Sequence, residues 1–422
     1  MFHNPTALWA NYEIMSACPA IVLAGGQGSR LHELTENDSK PALRFGNHAR
    51  IVDFAFGNAF NSGVSHVMAA TQYRPQSLHR RLQHFWKPFF KGRGGDLDVR
   101  FGPRVTGTEE GYIGTAAAVA SNIARIDAMS PEHVLILAAD HIYRMNYADM
   151  MRTHRASGAD MTVAAAAVPC EKASGFGIID ADANGRITDF LEKPAAPPPM
   201  KNDPGKSLAS MGVYIFRWAA LREVLISDMS AEDSTHDFGF DVVPQFVSDR
   251  SSVVHLLESP VPETEAYWRD VGTLDAYREA HLDLTLSQLQ DAGRRWPILP
   301  AALDGTSILG TSVVSSEQNS RDIERSFIAS HSLIGSSARI SGSVLMQGTV
   351  VGASCRLHNC ILASGTVVEP GTIIGADPEE DAQWFRRSPE GTTLVTSQML
   401  AARRRGLTDK GHRAKISEME PL

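Results

Sequence analysis

Beyond about Trp296 the chain obeys a rule that few folds can satisfy: an aliphatic residue recurs at every sixth position, Ile328, Ile334, Ile340 and Met346. The step restarts at Val351 and Leu357 and again at Ile361, Val367 and Ile373, while Gly335, Gly352 and Gly375 each directly follow an aliphatic residue. Such a recurrence fits neither the helical period of about 3.6 residues nor the two-residue period of a half-buried strand. Short strands that turn a corner every six residues stack into a left-handed parallel β-helix, with the aliphatics inward and small residues at the corners. A β-sandwich with glycines in its turns would alternate at period two along each strand, and this segment does so less consistently. The flat faces and end coils of a solenoid need covering, which favours an oligomer.

From Pro19 to about Leu286 the pattern is different. Apolar runs at Ala20 to Leu23, Val64 to Ala70, Val134 to Leu137, Met161 to Val168 and Val213 to Phe216 are mostly followed by a turn and a helical period. Strands alternating with helices imply an α/β domain, a mostly parallel sheet with helices on both faces. At 422 residues the chain exceeds one ordinary compact core. It divides into an N-terminal extension (1–18), the α/β domain (19–290), a linker with the β-helix (291–400) and a charged tail (401–422).

Composition narrows the function. Hydrophobic residues at 43% and charged residues at 21% argue against a fibrous or long disordered chain. No run approaches the roughly 18 uninterrupted apolar residues of a membrane span, and Met1 to Ala17 lacks a basic segment followed by an apolar run. The expected setting is cytoplasmic, with no membrane partner. A net charge of −8 disfavours nucleic acid, whose binding calls for a basic face; the basic stretch from Arg403 to Lys415 reads as a solvated terminus. Cys18, Cys170, Cys355 and Cys360 never form a C-x-x-C pair, so neither structural zinc nor a disulfide is expected.

Nucleotides bind such sheets outside the carboxyl ends of the strands, so the residues just after the apolar runs carry the chemistry. The first run enters Leu23-Ala24-Gly25-Gly26-Gln27-Gly28-Ser29-Arg30-Leu31. Three glycines in four positions let backbone N–H groups approach a polyanion, and Arg30 adds a fixed positive charge. The segment is neither a Walker A loop nor G-x-G-x-x-G. In Lys40-Pro41-Ala42, proline fixes the chain just after a lysine able to reach the same phosphates. The run from Val134 ends in Asp140 where the strand opens onto the cleft, and Asp270, within Tyr267 to Thr273, is the best second acid for magnesium, which prefers a few hard carboxylates with phosphate oxygens and water. Each feature alone has a plainer reading: a tight turn for the glycines, a surface lysine for Lys40, a helix cap or turn for either aspartate.

Over nearly its whole length the chain resembles the bacterial glucose-1-phosphate adenylyltransferases, also called ADP-glucose pyrophosphorylases. The resemblance lies in the glycine loop through Ala42, Arg50 to Ala55, Asn61-Ser62-Gly63, Thr71-Gln72-Tyr73, Asp140 to Tyr143, Glu192-Lys193-Pro194, Ser207 to Phe216, His236 to Gly239 and Tyr267 to Thr273. It implies a nucleotidyltransferase domain followed by a left-handed β-helix, ATP and glucose 1-phosphate as substrates, Mg2+ as cofactor, ADP-glucose for glycogen synthesis as product, and a homo-oligomer, with a tetramer favoured. Carried over motif by motif, Arg30, Lys40 and Asp140 are catalytic, the first two on the triphosphate. Leu23, Gly25, Gly26, Gly28, Gln72, Gly114 and Thr115 line the nucleotide. Gly177, Glu192, Lys193, Ser210, Tyr214, Asp237 and Trp268 line the sugar phosphate, which Lys193 grips, and Asp140 and Asp270 hold the metal.

The sequence departs from the family pattern at Gln27 (usually Arg or Lys), Gly111 (Trp), Ala117 (Asp) and Phe240 (Lys). Asn37-Asp38 replaces a Lys-Arg pair and Gln383-Trp384 an Arg pair at positions that serve phosphorylated effectors, although Arg387 keeps one charge; weak activation by sugar bisphosphates is therefore expected. Two other functions fit. A paralogue could join a purine nucleotide to another sugar or cyclitol 1-phosphate, as Phe240 and Gly111 hint. A catalytically weak regulatory subunit could use the same fold, against which stand intact Arg30, Lys40, Asp140, Lys193 and Asp270.

Overall fold

A computed structural model describes residues 5–259, 264–284, 296, 298 and 322–406; most of the expected linker, and the tail beyond 406, lie outside the described residues. Helix α1 (Pro5–Met15) leads into β1 (Ala20–Ala24). There follow α2 (Val52–Asn61), β2 (His66–Thr71), β3 (Asp96–Phe101), α3 (Thr115–Ala120), β4 (His133–Ala138), β5 (His141–Tyr143), α4 (Tyr147–Ser157) and β6 (Met161–Pro169). The domain continues through β7 (Gly177–Ala181), β8 (Ile187–Glu192), β9 (Lys206–Arg217), α5 (Trp218–Asp228), β10 (Ser252–Leu256), β11 (Trp268–Asp270) and α6 (Leu274–Asp283). Four of the five expected apolar runs lie wholly in strands, and the run from Val64 enters β2 at His66.

One nine-stranded sheet runs β8-β7-β9-β4-β1-β2-β3, with β6 joining β9 to β10. It is mixed: parallel from β4 through β1 and β2 to β3, and antiparallel where β9 meets β4, β6 and β7. Side chains alternate between two cores, Val22, Leu135, Leu137 and Val213 on one face and Ile21, Val134, Ile136 and Tyr214 on the other, as the two-residue repeat of a strand requires. Helix α2 supplies the first core with Val52, Phe54 and Phe56, and α3 the second with Ala116 and Val119. Burial on both faces is why these strands read as unbroken apolar runs.

In the C-terminal part, β12 (Phe327–Ile328), β13 (Val344–Leu345), β14 (Cys360–Leu362) and β15 (Thr393–Val395) stack in parallel as one face, beside two other parallel faces. The expected β-helix is present, but its register differs from a uniform six-residue step. Ile328 pairs with Leu345 and Leu345 with Leu362, a coil of seventeen residues made of two steps of six and one of five. The short step falls at a tight corner, where Gly342 and Asn359 take φ of 57° and 48°. The inward residues are Ile328, Ile340, Leu345, Val351, Leu357, Leu362, Val368 and Ile374. Met346 and Ile361 are buried on the other side of their strands, in the α/β core, while Val367 and Ile373 are 54% and 45% exposed.

That second burial joins the two halves. Phe327, Val344, Met346, Ile361 and Leu394 pack into the same core as Phe45 and Tyr277. Asn47 Oδ1 accepts the Ser330 N–H (2.8 Å), and Arg278 donates to the Gly342 carbonyl (2.7 Å) and to Thr392 Oγ1 (3.0 Å). His281 lies between Phe45 and Phe327. Its Nδ1 donates to the Tyr277 carbonyl (2.9 Å) and its Nε2 accepts the Gly46 N–H (3.2 Å), with burial pushing the imidazole down to about 4.

Candidate active site

The glycine loop leaves β1 at the carboxyl edge of the sheet, as expected for a phosphate loop. Gly28 takes φ 70°, and a Cβ there would stand 2.7 Å from Lys40 Cβ. Only glycine lets the loop lie this close to the lysine. Thr35 Oγ1 fastens the turn by donating to the Gly28 carbonyl (2.9 Å). Beyond Lys40, buried Asp53 accepts the Arg50 N–H (2.7 Å), Arg81 Nη2 (2.6 Å) and Trp86 Nε1 (2.7 Å), fixing the following segment to α2.

Lys40 Nζ bridges the two expected acids, donating to Asp140 Oδ2 (3.0 Å) and Asp270 Oδ1 (2.7 Å). Asp140 lies in the two-residue bend between β4 and β5, and Asp270 ends β11, which pairs antiparallel with β5. Burial works against the Lys40 ammonium, but the two carboxylates outweigh it and hold its pKa above the ordinary lysine value. Burial likewise opposes ionisation of Asp140, yet Lys40, then His141, keep its carboxyl well below the usual carboxylate range. Gly272 leaves room beside Asp270: a Cβ there would lie 2.8 Å from Arg30 Nη2 and 2.9 Å from Asp270 Oδ2. Arg30, Lys40, Asp140 and Asp270, from four separate segments, thus meet at one point. Two hard carboxylates facing a common cation suit a divalent metal ion; Asp140 and Asp270 are the residues that would hold it.

The residues expected at the nucleotide and the sugar line adjoining loops. Leu23, Gly25 and Gly26 sit at the end of β1, with Gln72 just past β2. The Gln72 amide is engaged at both ends with Tyr112, donating to its carbonyl (3.1 Å) and accepting its N–H (2.6 Å), so it shapes the next loop. Gly111, in that loop, has φ 73°, and a Cβ would meet Gln72 Oε1 at 2.8 Å and Pro103 Cδ at 2.9 Å. No tryptophan fits this loop path, which accounts for that departure. Gly114 packs against the His236 carbonyl, and Thr115 Oγ1 donates to Asp237 Oδ2 (2.9 Å), so the nucleotide and sugar loops are tied together. Ala117 is buried in α3.

On the sugar side, Gly177 and Gly239 both leave space for the Glu192 carboxylate. Glu192 Oε1 accepts Lys193 Nζ (2.7 Å), and the Phe240 ring lies 5.2 Å from that ammonium. The aromatic residue that replaces a cation therefore stabilises the neighbouring cation. Ser210 and Tyr214 share a hydrogen bond (3.3 Å) and are buried behind the cleft. Trp268 packs edge-on against His141 and Phe176, its Nε1 buried without an acceptor among the described residues. Sequence reasoning gave no role to His141, whose Nδ1 bonds the Met211 carbonyl (3.2 Å). That carbonyl is aimed by an irregularity in β9, where register shifts between Ser210 and Tyr214 around Gly212 (φ 66°); a glycine inside a strand run was the available signal.

A separate cavity of about 300 Å³ is lined by Arg44, Arg50, Arg80, Arg81, His48 and His84, among others. Ser77, also on its wall, donates to Asp38. The surface around Asn37-Asp38 is therefore richer in cations than those two residues suggest, because the charge comes from other elements. Arg387, at the other expected effector position, pairs with buried Asp381 (3.7 Å).

A glycine loop at the carboxyl edge of a doubly covered sheet, with a lysine set between two acids, is the arrangement of a nucleotidyltransferase. Residues 19–287 match the nucleotidyl transferase family model and 303–395 a GlmU-like C-terminal hexapeptide model. The chain belongs to the glucose-1-phosphate adenylyltransferase family. It is 41% identical to a glucose-1-phosphate adenylyltransferase of Cereibacter sphaeroides over 93% of this chain and 98% of that protein. It is 42% identical to the enzyme of that name from Paraburkholderia phytofirmans, and 40% to that from Agrobacterium fabrum, over 90% of this chain and 96% of each relative.

Proposed function

We propose that this chain joins ATP to α-D-glucose 1-phosphate, forming ADP-glucose and releasing pyrophosphate, in the cytoplasm and in support of glycogen or related α-glucan synthesis. The observation that carries the reading is the Lys40 bridge between Asp140 and Asp270 beside the glycine loop. The substrates follow the names of the relatives. In this reading 19–290 is the catalytic domain and 291–400 carries the β-helix, with 1–18 and 401–422 as extensions; the active form is a homo-oligomer, a tetramer by preference. No described helix is long and apolar enough to cross a membrane.

In the reaction a phosphate oxygen of glucose 1-phosphate attacks the α-phosphorus in line, the bond to the β-phosphate oxygen breaks, and negative charge builds on the departing pyrophosphate. Leu23, Gly25, Gly26, Gly28, Gln72, Gly114 and Thr115 shape the nucleotide side. Arg30 and Lys40 lie where the leaving charge develops and stabilise it without reorganising. Lys193 holds the sugar phosphate, while Gly177, Glu192, Ser210, Tyr214, Asp237 and Trp268 form or support the pocket for the hydroxyls. Asp140 and Asp270 would hold Mg2+, which when bound would neutralise charge and align phosphate oxygens. No covalent nucleophile is needed, because aligning two bound substrates removes much of the barrier.

The test is pyrophosphate release across a matrix of nucleoside triphosphates and sugar 1-phosphates. ATP with glucose 1-phosphate should give the highest kcat/KM. Preference for another pair would make the chain a paralogue of changed specificity, and nucleotide binding without release from any pair would make it a regulatory subunit.

A further inference from the structure

His141 stands directly opposite Asp270 across the β5–β11 pair and next to Asp140 in sequence. Its Nε2 is 3.5 Å from Asp140 Oδ1 and 3.9 Å from Asp270 Oδ1. Among the described residues, these three side chains form a group whose ligand atoms all lie within 4.8 Å of one another. The other ring nitrogen, Nδ1, faces the Met211 carbonyl at 3.2 Å. A carbonyl only accepts, so Nδ1 is the donor there and Nε2 is the ring nitrogen turned towards the carboxylates. Lys40 Nζ is the cation between the two carboxylates here, and His141 Nε2 adjoins the same pair. A backbone carbonyl on the far nitrogen is also how proteins set the tautomer of a metal-binding histidine. The ring is steadied by Trp268, edge-on at 5.1 Å.

We infer that His141 Nε2 is a third protein ligand of the metal held by Asp140 and Asp270; the inference rests on the assignment of those two carboxylates above. Ligand atoms around one ion at about 2.1 Å are separated by about 3.0 Å when adjacent and about 4.2 Å when opposite, and both His141 distances fall in that span. A nitrogen ligand favours Mn2+ and Co2+ over Mg2+, which prefers oxygen. The metal preference of the site is thereby set by a residue that sequence patterns leave without a role.

The test uses the full-length protein with Mn2+ and pyrophosphate, a product that contains no nitrogen. Pulsed electron paramagnetic resonance should show nitrogen coupling to bound Mn2+, and the pattern should change from 14N to 15N in protein grown on 15N-histidine. His141→Gln should remove the coupling and weaken Mn2+ binding about tenfold or more, with a smaller effect on Mg2+. Bound Mn2+ without histidine coupling, its binding still lost in Asp270→Asn, would overturn the inference and leave the carboxylate site standing. Mn2+ binding that neither Asp140→Asn nor Asp270→Asn weakens would overturn both.

Discussion

In the α/β domain the charged groups that meet at Lys40 come from chain positions up to 230 residues apart, whereas in the β-helix every inward residue has a counterpart seventeen residues away on a neighbouring coil. In the proposed reading the first region concentrates function in a few single side chains. The second spreads stability over a row of nearly equivalent positions, as expected where each repeat touches only its neighbours. A substitution should therefore act on chemistry in one region and on folding in the other.

The sharpest test of that contrast is Asp140→Asn or Asp270→Asn. Either should lower turnover in Mg2+ by at least about a hundredfold while the thermal unfolding midpoint stays close to wild type. A normal rate for Asp270→Asn would remove it from the metal site. In the β-helix, Ile374→Ala should cost about 2–4 kcal/mol by deleting inward methylenes, whereas Ile373→Ala, at a partly exposed outward position, should cost less than about 1 kcal/mol. Urea unfolding of the two variants checks the coil register, and the reverse order would restore a uniform six-residue step. Lys193→Ala should raise the KM for glucose 1-phosphate about tenfold, matching the loss of one charge-assisted contact, with little change for ATP. A rise confined to ATP would put Lys193 in the other half of the site. The smallest effect is expected at Phe240. An exposed cation–π contact contributes about 0.5–1 kcal/mol, so Phe240→Leu should raise the same KM about two- to fivefold and Phe240→Tyr should restore it; an unchanged KM in Phe240→Leu would show that the ring does not steady Lys193.

Much of this was legible in the linear sequence. The glycine loop and Asp140 lie next to strand ends, where local pattern and chemistry coincide, Lys40 is marked by the proline that follows it, and the five strand runs are apolar because both faces of the sheet are covered. The coil register was not legible, for a physical reason: Leu345-Met346 and Ile361-Leu362 are adjacent aliphatics on a face buried from both sides, so neither member of a pair is polar and the pattern does not tell which one points inward. The Gln72 clamp on Tyr112, the turn of His141 towards Met211 and the arginine-lined cavity were equally hidden. Each joins segments whose proximity is set by strand order and loop path, and none leaves a spacing to read.

The face from β12 to β15 has apolar side chains on both of its sides, one set inside the solenoid and the other against Phe45 and Tyr277. The solenoid is therefore not a detachable module. Cutting the chain between the halves would strip cover from an apolar surface, and a fragment ending near residue 290 should be prone to aggregation. Loss of activity on truncation would then report an uncovered core rather than a part played by the solenoid in the chemistry, and dissecting this protein calls for point substitutions on the shared face instead of deletions.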